Sequence, residues 1–303
     1  MNNYHTSVLL TQSIEGLNIQ PDGVYVDVTF GGGGHSREIL NHLSEKGKLY
    51  AFDQDKDALE NEINDPRFTL INQNFRYLKR FLRFYGVSKV DGILGDFGVS
   101  SHQFDEPARG FSTRFDSDLD MRMNQDDPKS AYTILNNYEE QALSEIFYEY
   151  SELKNARQIA KAIVEYRQEK EIKTSGELQQ ILKKWLPKFK ENKVLAQIFQ
   201  GVRIEVNDEI NVLKEFLTQT SEVLKVGGRL SLISYHSLED RLVKRFIRDG
   251  KFSGEAEKDI FGHIQVPFKK VGNLIVPSQE EIEKNNRARS AKLRIAERIL
   301  SSG

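Results

Sequence analysis

The stretch Asp27-Val28-Thr29-Phe30-Gly31-Gly32-Gly33-Gly34-His35-Ser36 decides the reading of the fold. It grows out of Val24-Tyr25-Val26-Asp27-Val28, a β-branched and aromatic run that reads as a buried strand. Four consecutive glycines then lead into a helix expected to start near Ser36. Glycine reaches positive φ without penalty and lets the backbone approach a ligand closely. A strand that ends in an acid and feeds a glycine turn and a helix is the opening unit of a parallel α/β sheet. Its ligand crevice lies at the carboxyl ends of the strands.

Outward from this turn the β pattern repeats. Residues 48–53, 68–72 and 90–96 read as the second, third and fourth strands, with helical stretches between them. The pattern breaks after residue 104. Residues 105–130 are polar and loop-like, and helical periodicity follows over about 138–169 and 193–224. Thr174-Ser-Gly-Glu177 is a capping box opening another helix, which carries Trp185 and ends at Pro187. The β pattern resumes with Arg229–Tyr235, and Ser237-Leu-Glu-Asp240 is placed to cap a helix running to about Arg248. Residues 266–276 and 291–299 are two weaker strand candidates. The simplest architecture is a doubly wound α/β domain, residues 1–104 and 209–303, interrupted by an all-helical insertion over 105–208.

Composition narrows the function. The chain has 303 residues, 43 basic against 45 acidic, and no cysteine. Disulfides, thiolate metal sites and a cysteine nucleophile are thereby excluded. Any contact with nucleic acid must come from local patches, since the net charge is −2. No apolar stretch approaches the roughly 20 residues of a membrane span. The N-terminal MNNYHTSVLL does not resemble a secretory signal. A cytoplasmic protein with no membrane contact is expected. The start of a calcium loop at Asp116-Ser-Asp-Leu-Asp120 fails, because its sixth position is Met121 and its twelfth is Asp127. No metal is expected.

The acids at the strand ends indicate the ligand. Asp53 closes the second strand where an acidic residue takes a ribose hydroxyl. A dinucleotide would need helix-N-terminal amides for its pyrophosphate. S-adenosylmethionine has no phosphate, and its methionine end carries an amine that suits Asp27, just before the glycines. The spacing D-x-T-x-G-x-G favours S-adenosylmethionine. Asp96 ends the fourth strand, bordering cofactor and substrate, where its carboxylate can accept from an adenine or a target amine. His236 follows the fifth strand and reads either as a satisfied structural histidine or as a catalytic group.

A series of motifs, taken in order, is more specific. It runs through Tyr4-His5-Thr-Ser-Val-Leu-Leu10, Thr29–Ser36, Phe52-Asp53-Gln-Asp55, Asn74-Phe75 and Gly98-Val-Ser-Ser101. It continues with Arg109-Gly-Phe-Ser112, Leu119–Met123, Phe199–Ile204, Ser234–Arg241 and Arg287–Ser290. The chain resembles the bacterial small-subunit ribosomal RNA cytosine N4-methyltransferase family (RsmH/MraW) from end to end. The resemblance implies a Rossmann-like class I methyltransferase fold, with the insertion on the substrate side. It implies cofactor contacts at Gly33, Gly34, His35, Asp53, Phe75, Asp96 and Gln103, and the small ribosomal subunit with its 16S rRNA as partner. The sequence leaves a homodimer open. Gly95, Phe97, Ser151 and Asn286 depart from the family pattern, in which a larger residue, Leu, Gly and Pro are expected.

Methyl transfer needs nucleophile, methyl carbon and sulfur held in line. Methylation at cytosine C5 normally uses a cysteine adduct, which this chain cannot form, whereas the exocyclic nitrogen remains open. Asp96, a nearby carbonyl or His236 would accept from that amine. The target base must leave its stack, and Phe97, Phe111 and Tyr235 are candidates to stack on it. Three basic runs are candidates for phosphate contact: Arg76/Lys79/Arg80/Arg83, Arg241/Lys244/Arg245/Arg248 and Lys284/Arg287/Arg289/Lys292/Arg294. Two competing readings remain, a nicotinamide-dependent oxidoreductase and a non-catalytic RNA-binding assembly factor with a relic cofactor site.

Overall fold

The computed structural model describes residues 7–254 and 266–299. Tyr4, His5 and Thr6 of the N-terminal motif lie outside these described residues. The chain divides into two compact units, residues 1–98 with 210–303 and residues 99–209.

The first unit is built on a seven-stranded sheet. Its strands are β1 (Val24–Asp27), β2 (Lys48–Phe52), β3 (Phe68–Ile71), β4 (Val90–Asp96), β5 (Leu224–Ser234), β6 (Phe268–Ile275) and β7 (Lys292–Arg298). The order across the sheet is β3-β2-β1-β4-β5-β7-β6. The first five strands in that order are parallel, and β7 runs antiparallel to both β5 and β6. Consecutive parallel strands need crossovers, and the helices that make them cover both faces. One face packs Leu78, Leu82, Leu213, Phe216, Val243 and Phe246 against the sheet. The other packs Ile14, Leu17, Ile39 and Leu40. The order reverses between β1 and β4, and a doubly wound sheet opens its ligand crevice at the carboxyl ends of such a pair.

The second unit is helical, around Leu135, Leu143, Phe147, Ile159, Ile163, Leu178, Ile198 and Val202. Among its helices opened by capping boxes, Ser130 with Thr133 opens Ala131–Asn137, and Thr174 with Glu177 opens Ser175–Leu182. Both pairs satisfy backbone donors that would otherwise be orphaned.

Two long helices expected from periodicity are each broken. The stretch 138–169 forms Glu140–Glu149 and Ala156–Arg167, with Glu152 in the left-handed region (φ +53) between them. The stretch 193–224 forms Glu191–Asn207 and Glu209–Val223, separated by Asp208 at φ +54. An acidic residue can end a helix in this conformation, though glycine and asparagine do so more readily. The fifth strand begins five residues earlier than expected, at Leu224. The helix after it is capped by His236, not within 237–240.

Candidate active site

Four candidate side chains, of Asp27, Asp53, Asp96 and Tyr235, stand at the carboxyl edge of the sheet because of strand register. Asp27 pairs across to Ala51 and Leu94, and Asp96 pairs with Ile233. The ends of β1, β2, β4 and β5 therefore align, with Asp53 just past β2 and Tyr235 just past β5.

Asp27 is fully buried. It accepts from the Thr29 backbone N–H at 3.0 Å and from the Ser36 hydroxyl at 2.7 Å, tying the strand end to the helix Gly34–His42. Asp53 accepts from the Gly31 N–H at 2.8 Å and the Asp55 N–H at 2.9 Å, which holds the glycine turn against β2. The Tyr235 hydroxyl donates to Asp96 Oδ1 at 2.8 Å, and the Asp96 N–H donates to the Thr29 hydroxyl at 2.6 Å. Burial raises all three carboxyls to about 6, overcoming the hydrogen bonds that oppose it. Asp53 and Asp96 also meet like charge: Asp27 acts on both, raising each further. Among the described residues no lysine or arginine pairs with any of the three. Burial and the Asp96 charge push the Tyr235 phenol well above its ordinary value, so it remains a donor.

The glycines are required by geometry at two positions. Gly33 sits at φ +75, and a Cβ there would lie 2.8 Å from Arg37 Nη1 and 2.9 Å from the Phe30 ring. A Cβ on Gly34 would lie within 2.1 Å of the Ser7 hydroxyl. His35 follows, buried, with Nε2 3.2 Å from the Val8 carbonyl. That bond assigns the ring proton to Nε2 and leaves Nδ1 as a lone pair. Nδ1 lies 3.9 Å from Asp96 Oδ2. Burial lowers the imidazole pKa against the pull of Asp96, so Nδ1 and the Asp96 carboxylate stand as neighbouring acceptors.

The other expected residues fall in different settings. Phe75, half-buried, packs against Phe97 (centroids 5.9 Å) and Phe216 (5.3 Å) at the end of β3. Gln103 belongs to the helical unit, where it completes a capping box with Ser100. His236 is the N-cap of Ser237–Asp249: its Nδ1 accepts from the Glu239 N–H at 3.4 Å, while Nε2 lies 3.1 Å from Glu239 Oε1. Distance suits that second contact, but its geometry does not make a hydrogen bond. Glu239 Oε2 accepts from the Tyr235 N–H at 2.9 Å, so the same carboxylate sets the turn that aims the phenol. Phe97 and Phe111 are core residues, 5% and 6% exposed, and offer no free ring face. Sequence reasoning did not assign roles to Thr29, Ser36 or Glu239. Each lies inside a quoted motif, and a hydroxyl or acid one turn beyond a strand end was the available signal.

The three basic runs are largely spent on internal pairs. Arg76 pairs with Glu215 at 2.6 Å and Lys79 with Glu222. Arg248 pairs with Asp249, and Arg294 with Asp240 at 2.7 Å. Lys284 pairs with Glu280 one helical turn away. Arg80, Arg83, Lys244 and Arg289 stay exposed.

An acidic crevice of this kind repels a pyrophosphate and suits a cofactor carrying ammonium and sulfonium charges on a nucleoside. The residues present therefore fit S-adenosylmethionine: unneutralised carboxylates suit its cations, and Asp53 stands just past β2, where an acid can take a ribose hydroxyl. With the sheet order and its antiparallel β7, this defines a Rossmann-like class I methyltransferase.

The chain belongs to the MraW methylase family, whose model matches residues 2–299. It is 68% identical over 296 residues to the ribosomal RNA small subunit methyltransferase H of Christiangramia forsetii, and 64% over 296 residues to that of Flavobacterium johnsoniae. It is 56% identical over 298 residues to that of Parabacteroides distasonis. In each case 98% of both chains is covered. A solved rRNA methylase from Streptococcus thermophilus aligns over 96% of this chain and 94% of its own. At 13% identity and a TM-score of 0.41 that likeness carries no argument.

Proposed function

We propose that this chain transfers a methyl group from S-adenosylmethionine to the exocyclic N4 of a cytidine in small-subunit (16S) ribosomal RNA. One observation carries the chemistry: three carboxylates at the carboxyl edge, Asp27 buried and Asp53 and Asp96 partly so, none neutralised by a lysine or arginine among the described residues. The names of the relatives supply the substrate class.

Bound S-adenosylmethionine supplies an electrophilic methyl carbon on a positively charged sulfur. Asp27 and Asp53 hold the turn and face the cofactor's cationic and ribose groups, with Gly33, Gly34, His35 and Phe75 around it. Asp96 Oδ2 and His35 Nδ1 accept from the target amine and orient its lone pair toward the methyl carbon. The cofactor would give up its methyl group and keep the sulfur as a neutral thioether, and Asp96 would take the proton released from the amine. In this reading His236 is structural, fixing the turn that carries Tyr235. The helical unit, residues 99–209, works on the RNA side, and the protein acts in the cytoplasm, where its substrate is assembled.

The nicotinamide reading is disfavoured because three strand-end carboxylates without a cationic partner would repel a pyrophosphate. Calorimetric titration with S-adenosylmethionine and with NAD separates the two, and binding of NAD alone would overturn the cofactor assignment. Transfer of label from methyl-labelled S-adenosylmethionine to the RNA of small subunits lacking this modification separates an enzyme from a relic cofactor site. No label with the cofactor bound would leave the relic.

A further inference from the structure

The helical unit carries a fourth basic run, in a different state from the other three. Residues 183–193 read Lys183-Lys184-Trp185-Leu186-Pro187-Lys188-Phe189-Lys190-Glu191-Asn192-Lys193, five lysines against one acid. All five lysines are exposed. None pairs with a carboxylate among the described residues, whereas Arg76, Lys79, Arg248, Lys284 and Arg294 all do. The run therefore presents positive charge that no carboxylate among the described residues neutralises.

Its backbone is the second observation. Between the short turn Lys183–Trp185 and the helix Glu191–Asn207, the chain reverses through a turn closed by the Lys190 N–H on the Pro187 carbonyl at 3.1 Å. Phe189 occupies the third position of that turn at φ +68, where glycine or asparagine is the normal choice. A bulky side chain is strained there. Its ring is 97% exposed, so no burial offsets the strain. Strain without packing in return is characteristic of functional segments. The root of the loop is fixed: Trp185 packs against the helical core, and its carbonyl accepts from Asn155 Nδ2 at 3.2 Å. Lys184 Nζ lies 5.1 Å from the indole centre.

We propose that the loop 183–193 is an RNA-docking element, in which the lysines take backbone phosphates and Phe189 stacks on an unpaired base. Lysine is a flexible point charge that neutralises phosphate without reading sequence. An exposed ring stacks on any base, because every base has a π face. This rests on the reading that RNA is the substrate, and it adds the surface that holds it. A lipid surface could also attract the lysines, but anchoring there favours several inserted rings, and this loop offers one fully exposed.

The chain has a single tryptophan, Trp185, at the loop's root, so intrinsic fluorescence reports on the site. The full chain is titrated with unmodified small-subunit rRNA at several salt concentrations, following Trp185 emission and filter binding. A saturable, salt-sensitive emission change is expected. Phe189→Gly relieves the strained backbone, so its melting temperature should not fall and its S-adenosylmethionine affinity should hold. Its RNA affinity should drop about 5- to 150-fold, the range for loss of one stacked base. The double variant Lys188→Gln/Lys190→Gln should reduce the slope of log K against log salt by about 1.4 to 1.8. Wild-type RNA affinity and slope in both variants would overturn the proposal. So would loss of binding to phosphatidylserine vesicles with RNA binding intact, which would assign the loop to lipid. A wild-type chain that binds RNA through this loop but transfers no methyl group would sink the reaction and leave the docking element standing.

Discussion

Replacing Asp96 by Asn should make the ligand-free protein more stable while removing its activity. Asp96 is held at about 6, against an ordinary 3.8, with burial the largest cause. A carboxyl whose folded pKa lies above its unfolded value binds more protons when folded. Its contribution to stability is therefore highest at low pH and declines as pH rises from about 4 to about 6. At pH 7.5 the full penalty applies: about 2 pKa units at 1.36 kcal/mol each, or about 3 kcal/mol. Relaxation of the apo crevice reduces this to about 1–3 kcal/mol, or about 3–10 °C in melting temperature for a unit of this size. Asparagine has nearly the same shape, keeps an acceptor for the Tyr235 hydroxyl at Oδ1, and carries no charge. At pH 5 the wild-type side chain is mostly protonated, and the gap between variant and wild type should fall to about half. The assay is thermal unfolding at both pH values, with and without saturating S-adenosylmethionine. The cofactor should raise the wild-type midpoint strongly and that of the variant little. A ligand-free Asp96→Asn protein that melts at or below wild type at pH 7.5 would refute the claim that the crevice stores uncompensated charge. So would a gap that does not change with pH.

Three further substitutions test individual contacts. Tyr235→Phe removes the donor at 2.8 Å that lowers the Asp96 pKa. The acid limb of the rate profile should move to higher pH and kcat should fall about 10- to 100-fold, the worth of a hydrogen bond to a charged group. An unmoved limb would make the phenol a packing residue. His236→Ala should cost about 1 kcal/mol through the lost cap, and His236→Asn should restore it. Turnover should stay within about threefold below the melting point, and a hundredfold loss would draw the imidazole into the chemistry. Gly95→Ala places a Cβ 3.0 Å from the Phe97 ring and 3.1 Å from Val28 Cγ2. It should destabilise by about 1–3 kcal/mol through overpacking. Combined with Phe97→Leu it should cost less than the sum of the two single changes by about 0.5 kcal/mol or more, measured by denaturant unfolding. Additivity would show that the two departures from the family pattern are unrelated.

Much of the α/β unit was legible because its signals are local. Val90–Asp96 reads as a strand from its own residues, and the glycine turn carries its conformational demand in its composition. The crevice was legible for a related reason: Asp27, Asp53 and Asp96 each end a strand, and parallel strands bring such ends to one edge. What failed depends on long-range partners. Arg76 and Glu215 are 139 residues apart, so a run that reads as free charge is paired in the fold. Helix breaks at Glu152 and Asp208 use left-handed residues that are neither glycine nor proline, and periodicity passes over them. His236 read equally as a structural histidine or a catalytic group because it follows the fifth strand at the crevice, and its Nδ1 accepts from a helix N-terminus. The lysine run at 183–193 was readable from sequence. Its meaning depends on the absence of partners and on the backbone of Phe189, which only coordinates supply.

The most direct measurement of the account is the identity of the methylated nucleoside. RNA from small subunits lacking the modification is treated with this protein and labelled S-adenosylmethionine, then digested and resolved by mass. The account predicts label in N4-methylcytidine, lost in Asp96→Asn. Label in 5-methylcytidine, which a chain without cysteine should not produce by the usual adduct, would contradict it.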